Sequence, residues 1–351
     1  MKARLFLLAG QTVALGLMMA FLVVPASSLF LDRYGAAALA YVYIAVAVAG
    51  VAVSVGLSRA QRRLSLAALA AAASWVYLAV VTAAWGVLVS FDGVWVTYAL
   101  LVLFPLSIPI GFALVGAQAG RLLDVRQMKA HFPRVASGFS VGFAVGGFAA
   151  ALLVSPLGGP RQLLVLDLVA AAAMVGLVVT TGRRFPAELR VAPEPAPIAA
   201  SATSRGERRA LLRHPLFVMI FGYQVLSAAV TQLLDFIVWE RAAARYPDPT
   251  DLAQFLGVFG AVINVASVLF VVAFAGWILT RFGIGVGLLA NPAAVLCLLI
   301  ATSVVGSVSA PATLVFFILV CAQQVTDIAL TDGTTRTSIN ATYQALLPHQ
   351  R

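Results

Sequence analysis

Long apolar runs separated by short polar segments dominate the sequence. A transmembrane helix needs about 20 mainly apolar residues, and this criterion predicts ten spans, six before residue 183 and four after residue 214. The predicted spans are 5–26, 36–57, 64–89, 94–119, 135–154, 162–181, 215–238, 253–279, 284–305 and 311–331. The runs lack the ten-residue alternation of transmembrane strands, so the sequence predicts helices.

One long polar segment, residues 183–214, interrupts the pattern between the sixth and seventh spans. It contains seven arginines and the alternating prolines Pro193, Pro195 and Pro197, which favour an extended, poorly packed backbone. We therefore predict a six-helix half over residues 1–182, a basic, proline-rich cytoplasmic linker over 183–214, and a four-helix, incomplete half over 215–351.

Composition and charge distribution agree with a membrane protein. The chain is 62% hydrophobic and only 10% charged, whereas soluble domains are about a quarter charged. If the N-terminus is cytoplasmic, four of the 23 basic residues lie outside, namely Arg33, Arg161, Arg241 and Arg245, and the other 19 lie inside. This asymmetry predicts that both termini are cytoplasmic and that the basic residues orient the chain in the bilayer. It does not indicate nucleic-acid binding.

Polar side chains within the spans are the candidate site, because a carboxylate facing lipid costs about 2.5–3.5 kcal/mol even on lenient scales. Asp235 in the seventh span shares one helix face with other polar residues, and Asp327 does so in the tenth. Asp235 could instead reach the outer headgroups, and Asp327, predicted near the inner end, could cap its helix. Asp167 is expected at the membrane interface. The substrate-cavity candidates are Gln11, Gln224, Thr231, Gln232, Asp235, Asn264, Gln324 and Asp327.

Two of these candidates, Gln11 and Asn264, have a simpler structural alternative. Gln11 could bond a neighbouring helix, and Asn264, like Asn291, could bond nearby backbone. Glycines at 138, 142 and 146 recur every four residues, which predicts close helix packing in the fifth span.

No enzyme signature is present in the sequence. It has no glycine-rich phosphate loop, no nucleophile elbow and no histidine or cysteine set for a metal. We therefore predict neither catalysis, nor a cofactor, nor a metal site of that kind.

Two features resemble the major facilitator architecture, in which two helical halves are joined by a long loop. The first is the division into six helices, a basic linker and a second helical block. The second is Gly276–Gly283, GWILTRFG, which resembles the facilitator loop signature G-x-L-x-D-R-x-G with Thr280 at the acidic position. The resemblance implies an all-α, major-facilitator-like helical bundle of about ten transmembrane helices.

Four segments are similar to the bacterial ATP:ADP antiporter (nucleotide transporter) family, residues 29–45, 122–147, 235–257 and 335–351. This resemblance implies exchange of nucleotides (ATP and ADP) or other organic anions by alternating access in the bacterial cytoplasmic membrane. It also implies soluble partner domains such as HEAT repeats or cyclic-nucleotide-binding domains, and two further helices. Trp239 stands where that family has lysine.

Two functional hypotheses follow from the sequence. The first is a secondary transporter, for which the resemblance implies nucleotides or other organic anions as substrates. The second is a non-transporting membrane anchor or sensor derived from a transporter. No predicted span has a central arginine or lysine to bind phosphate, which motivates the second hypothesis.

Overall fold

The computed structural model describes residues 1–91, 93, 95–189, 215–308 and 313–344, and all regular structure within them is helical. A 3-10 turn spans Ala36–Ala38, and two π-helical turns span Val271–Ala275 and Thr331–Thr335. The α-helices are α1 Lys2–Tyr34, α2 Leu39–Gln61, α3 Leu66–Ser90, α4 Trp95–Leu122, α5 Val125–Leu153, α6 Pro160–Arg184, α7 Pro186–Leu189, α8 Pro215–Arg245, α9 Pro249–Phe270, α10 Gly276–Val308, α11 Leu314–Leu330 and α12 Arg336–Gln344.

Nine helical stretches in the described residues are long and apolar enough to cross a membrane. One of them, Pro249–Val308, has 60 residues, about three times the 20 that one crossing needs. Within it Gly283 has a φ of 79°, in the left-handed region that glycine adopts without a steric penalty. The helix is broken at this point, between the two spans that the sequence predicts within this stretch.

The last helical stretch is longer than the predicted span. It runs over Leu314–Ile339 instead of ending at residue 331. Thr334 and Thr335 in its last part are buried, whereas the side chain of Arg336 is 70% exposed and forms an ion pair with Asp332. The predicted place of Asp327 near the inner end stays a prediction.

Side-chain caps explain where several helices begin. Asp124 accepts a hydrogen bond from the backbone N–H of Gln127 at 2.7 Å, and Oε1 of Gln127 accepts one from the Asp124 N–H at 3.4 Å. This reciprocal pair is a capping box at the start of α5. Before α9, Asp248 accepts from the N–H groups of Thr250 and Asp251. These bonds hold the pKa of the exposed Asp248 carboxyl below its usual range.

The described residues form two compact units. One comprises residues within Met1–Glu194 and Ala242–Asn264, and the other comprises residues within Pro195–Arg241 and Val265–Arg351. The predicted linker lies outside the described residues from 190 to 214, as do residues 345–351. The predicted linker and half boundaries stay predictions.

In the first unit α1 packs against α4, α5 and α6. The α5 glycines face α1 closely enough that a Cβ on Gly142 would overlap the backbone of Val13, and one on Gly146 would lie 2.8 Å from Ala20 Cβ. Small residues at a spacing of four allow this backbone approach. The predicted packing role of the glycines is confirmed.

Candidate functional site

Polar side chains from three helices meet inside the second unit. They are joined by hydrogen bonds between α8, α10 and the segment formed by α11 and the π-helical turn after it. We call this group the acidic cluster, and its members are Thr231, Asp235, Asn291, Gln324, Asp327 and Thr331.

Asp327 is held from two neighbouring helices at once. Thr231 of α8 donates its hydroxyl to Oδ2 of Asp327 at 2.6 Å, and Asn291 of α10 donates Nδ2 to Oδ1 at 2.9 Å. The same Asn291 nitrogen also donates to Thr331 Oγ1 at 3.0 Å. Asp327 is only 1% exposed, so these bonds fix a carboxylate in the interior of the unit.

Asp235 is held by a parallel contact one turn away. It follows Thr231 by four residues on α8, and it accepts a hydrogen bond from Nε2 of Gln324, which precedes Asp327 by three residues on α11. Residues three or four apart share one helix face. The two spacings therefore match, and two bonds join the same faces of α8 and α11.

The two carboxylates have no basic partner among the described residues. Neither Asp235 nor Asp327 takes part in an ion pair there. When both carboxylates are charged, they repel each other. Arg241, further along α8, places its guanidinium 5.4 Å from the centre of the Phe316 ring. A buried carboxylate without a counter-charge is costly, and in membrane proteins such residues mark substrate or ion pathways.

The structure divides the predicted site residues into those that join the cluster and those that do not. Thr231, Asp235, Gln324 and Asp327 lie together in it. Gln224 and Gln232, on the same helix α8 as Asp235, are exposed and lie outside the cluster. Asn264 donates to the backbone oxygen of Gly260 at 3.0 Å. It therefore bonds nearby backbone, which was the alternative to a place in the substrate cavity.

Three further polar residues were not among the predicted candidates. The sequence allowed Asn291 to bond nearby backbone, but its amide nitrogen bonds the side chains of Asp327 and Thr331. Thr335 and Ser338 are buried beyond the predicted end of the tenth span. Their sequence signal is a continuation of the polar face of Asp327 and Thr331 at steps of three and four.

Gln11 lies in the first unit, in a separate buried network. Its amide exchanges hydrogen bonds with that of Gln118 at 3.2 Å in each direction and donates to Thr181 Oγ1 at 3.0 Å. These bonds connect α1 with α4 and α6, which supports the helix–helix alternative for Gln11.

Asp167 is a second buried carboxylate of the first unit. It is 0% exposed, so protein covers it, and its predicted place at the membrane interface stays a prediction. The hydroxyl of Tyr77 on α3 lies 3.1 Å from Oδ1 and 3.0 Å from Oδ2 of Asp167 on α6. Nothing in the sequence indicates this pairing, because the two residues are 90 positions apart.

Removal of the Tyr77 hydroxyl should destabilise the protein. Tyr77→Phe leaves the buried Asp167 carboxyl without this donor, which costs about 1–3 kcal/mol and lowers the melting temperature by several degrees. Melting in detergent, followed by fluorescence-detected gel filtration, measures the effect. Tyr41→Phe is the matched control, because Tyr41 is 68% exposed on α2. Equal melting temperatures for the two variants would show that the Tyr77 bond is not structural.

Comparison with known proteins identifies the fold. No family model and no curated protein matches the sequence. Among solved structures, a mutant of the nucleoside transporter NupG aligns with a TM-score of 0.71 and 15% identity, over 99% of this chain and 84% of that one. A second NupG structure gives 0.67 and 16%, over 100% and 84%. A bacterial homologue of the iron transporter ferroportin, in an outward-facing state, gives 0.57 and 18%, over 98% and 84%.

These identities are low, so the likeness shows the fold alone. It confirms the predicted all-α, major-facilitator-like helical bundle. The similarity to the ATP:ADP antiporter family stays a prediction.

Proposed function

We propose that this chain is a secondary transporter that moves a small polar solute across a membrane by alternating access. The observation that carries the proposal is the acidic cluster, with its buried carboxylate inside the last helical stretch. Ionisable residues inside membrane proteins commonly mark substrate or ion pathways, and this cluster joins three helices through two carboxylates. The fold, shared with structures of two transporters, agrees with the proposal.

The chemistry of the cluster favours a neutral or cationic solute. It presents two carboxylates, two carboxamides and two hydroxyls, and neither carboxylate has an ion pair among the described residues. Phosphate recognition uses Arg or Lys, so the nucleotide or organic anion exchange implied by the family resemblance has little support from these residues. Nucleosides are uncharged and rich in hydrogen-bonding groups, which suits amides and hydroxyls. We therefore place them first among the solutes to test.

The proposed setting is the bacterial cytoplasmic membrane, with the N-terminus inside. The support for this orientation is the distribution of basic residues between alternate loops. Association with soluble domains stays a prediction, because no described residue bears on it.

Uptake by proteoliposomes tests the proposed function. Purified protein is reconstituted and offered labelled nucleosides, a neutral sugar, an organic cation, ADP and ATP in parallel. We expect saturable uptake of a neutral or cationic solute, above that of protein-free liposomes, and competition by the same unlabelled compound. Uptake of ADP and ATP alone would favour the nucleotide exchanger, and the absence of saturable uptake for every solute would favour the non-transporting module.

A further inference from the structure

One face of α2 carries a continuous stripe of large apolar side chains. The four side chains follow each other at steps of four, three and four residues, which places them on one side of the helix. Each of them is between 41% and 68% exposed, so the described residues leave the stripe uncovered, and in a bilayer it faces acyl chains. We call this group the apolar stripe, and its members are Ile44, Val48, Val51 and Val55.

The length of the apolar stripe matches one leaflet of a bilayer. At 1.5 Å per residue, α2 rises about 16 Å from Ile44 to Val55, and the hydrocarbon of one leaflet is about 15 Å thick. Beyond Val55 the same face continues with Ser58 and Arg62, again at steps of three and four. A polar pair directly after an apolar stripe of this length fits the layer of lipid headgroups.

An open groove of about 420 Å³ lies at this end of α2, lined by Ser54, Val55, Ser58, Arg59 and Arg62. The hydroxyl of Ser58 donates to the backbone oxygen of Ser54 at 2.8 Å, which holds this short side chain against the helix. The two serines therefore leave space, and the two longer arginine side chains lie beside it. The groove combines room for a small group with two positive charges.

The guanidinium groups of Arg59 and Arg62 lack a counter-charge. Both side chains are exposed, and neither forms an ion pair or a hydrogen bond with another described residue. The sequence of α2 contains no Asp or Glu, and neither do the sequences of α3 and α4, which pack against it. An anionic group in the groove would therefore meet two arginines and no carboxylate from these helices.

Phosphate is the anion that this arrangement suits, because arginine binds phosphate oxygens through two parallel N–H bonds. A free phosphate ion in so open a groove would make few contacts beyond the arginines. A phospholipid adds its acyl chains, which cover the apolar stripe, and the membrane holds it beside the groove. A zwitterionic headgroup carries its own cation, so only an anionic headgroup balances the two arginines.

We propose that this end of α2 binds an anionic phospholipid, with the headgroup phosphate between Arg59 and Arg62 and an acyl chain along the apolar stripe. The orientation proposed above places the groove at the cytoplasmic leaflet, whose surface is negative because of its anionic lipids. The site belongs to the first unit and shares no residue with the acidic cluster, so the inference does not rest on the proposed transport function.

A general attraction between basic residues and a negative membrane surface is the alternative, because arginines that flank a span also orient it. General attraction depends on charge alone, whereas binding in the groove also needs the space over Ser58. Ser58→Leu removes that space and keeps every charge, so this variant separates the two explanations.

Native mass spectrometry of the full-length protein in detergent measures lipid binding. Phosphatidylglycerol and phosphatidylcholine are titrated in parallel, and we expect adducts of phosphatidylglycerol at the lower lipid concentration. Arg62→Gln should weaken phosphatidylglycerol binding about fivefold, a typical contribution of one arginine to an anionic lipid contact. Arg63→Gln is the matched control, because it removes the same charge from the next residue, which does not line the groove.

Ser58→Leu should weaken phosphatidylglycerol binding at least as much as Arg62→Gln, because the added side chain fills the groove. Gly56→Leu is its matched control and should bind like the wild type. It adds the same side chain to α2 outside the groove, at a position where a Cβ would meet nothing within 4 Å.

Equal binding of phosphatidylglycerol and phosphatidylcholine would overturn the proposal. So would wild-type binding by Ser58→Leu, or an equal loss in Arg62→Gln and Arg63→Gln, because charge alone would then explain the binding. Inorganic phosphate and glycerol phosphate are added as competitors. If either displaces phosphatidylglycerol at the concentration of the lipid itself, the groove takes a soluble anion and the lipid inference is wrong.

Discussion

Asp327→Asn is expected to reduce solute uptake by about ten- to hundredfold while the protein remains folded. Asparagine has nearly the same shape as aspartate and still accepts a hydrogen bond from Thr231, whose hydroxyl lies 2.6 Å from the carboxylate. It lacks the charge, and hydrogen bonds to charged groups contribute about 1.5–3 kcal/mol. Each 1.4 kcal/mol corresponds to about a tenfold change, which sets the expected range. Because Asp327 accepts bonds from both α8 and α10, we expect its substitution to have the largest effect among the members of the acidic cluster.

Initial uptake rates in proteoliposomes, normalised to reconstituted protein, measure this effect. Gel filtration in detergent shows whether each variant is folded. Glu240→Gln makes the same acid-to-amide change at an exposed position of α8 and should transport at the wild-type rate. If the Asp327→Asn protein is folded and its uptake is unchanged, the acidic cluster takes no part in transport.

Gly142→Leu is expected to destabilise the first unit severely. An added Cβ at this position overlaps the main chain of Val13 in α1, and main-chain atoms cannot move aside as a flexible side chain can. Overpacking costs about 1–3 kcal/mol where side chains can adjust, and we expect a loss at or above the upper end of this range. Since α1 packs on α4, α5 and α6, its displacement affects the whole unit.

Expression level and melting temperature in detergent measure the loss. Gly120→Leu is the matched control, because Gly120 also lies in a helix but a Cβ there would meet nothing within 4 Å. The control should express and melt like the wild type. If Gly142→Leu behaves like Gly120→Leu, the close contact between α1 and α5 is not needed for folding.

The helical spans are the part of the fold that the sequence predicts well. A bilayer requires apolar runs of about 20 residues whatever their neighbours, so length and hydropathy locate each helix. Even the break within Pro249–Val308 is visible in the sequence, because Gly283 closes a recognisable loop signature and adopts a φ of 79°. The glycine spacing in α5 likewise predicts close helix packing, because residues four positions apart lie on the same face of one helix.

Partnerships between helices are the part that the sequence does not predict. Thr231 and Asp235 share a face, as do Gln324 and Asp327, and periodicity identifies both faces. It does not show that the two faces meet, nor that Asn291 joins them from α10. The same limit applies to Asp167, whose partner Tyr77 lies on another helix. Periodicity within one helix carries no information about which neighbouring helix covers it.

Burial of the residues after the last predicted span is also not visible in the sequence. Hydropathy ends the last span at residue 331, because the residues from Thr331 to Ser338 are mostly polar. Several of them, including Thr334 and Thr335, are nevertheless buried. The helical stretch continues to Ile339, because a polar residue can stay helical and buried when neighbouring protein covers it.

Counterflow in proteoliposomes tests the central claim most directly. Vesicles loaded with an excess of an unlabelled solute are diluted into a trace of the same labelled solute, with no ion or electrical gradient imposed. A transporter that alternates access predicts transient accumulation of label above its outside concentration, for a neutral or cationic solute. Label that only equilibrates, at the rate of protein-free vesicles and for every solute in the panel, would contradict the claim.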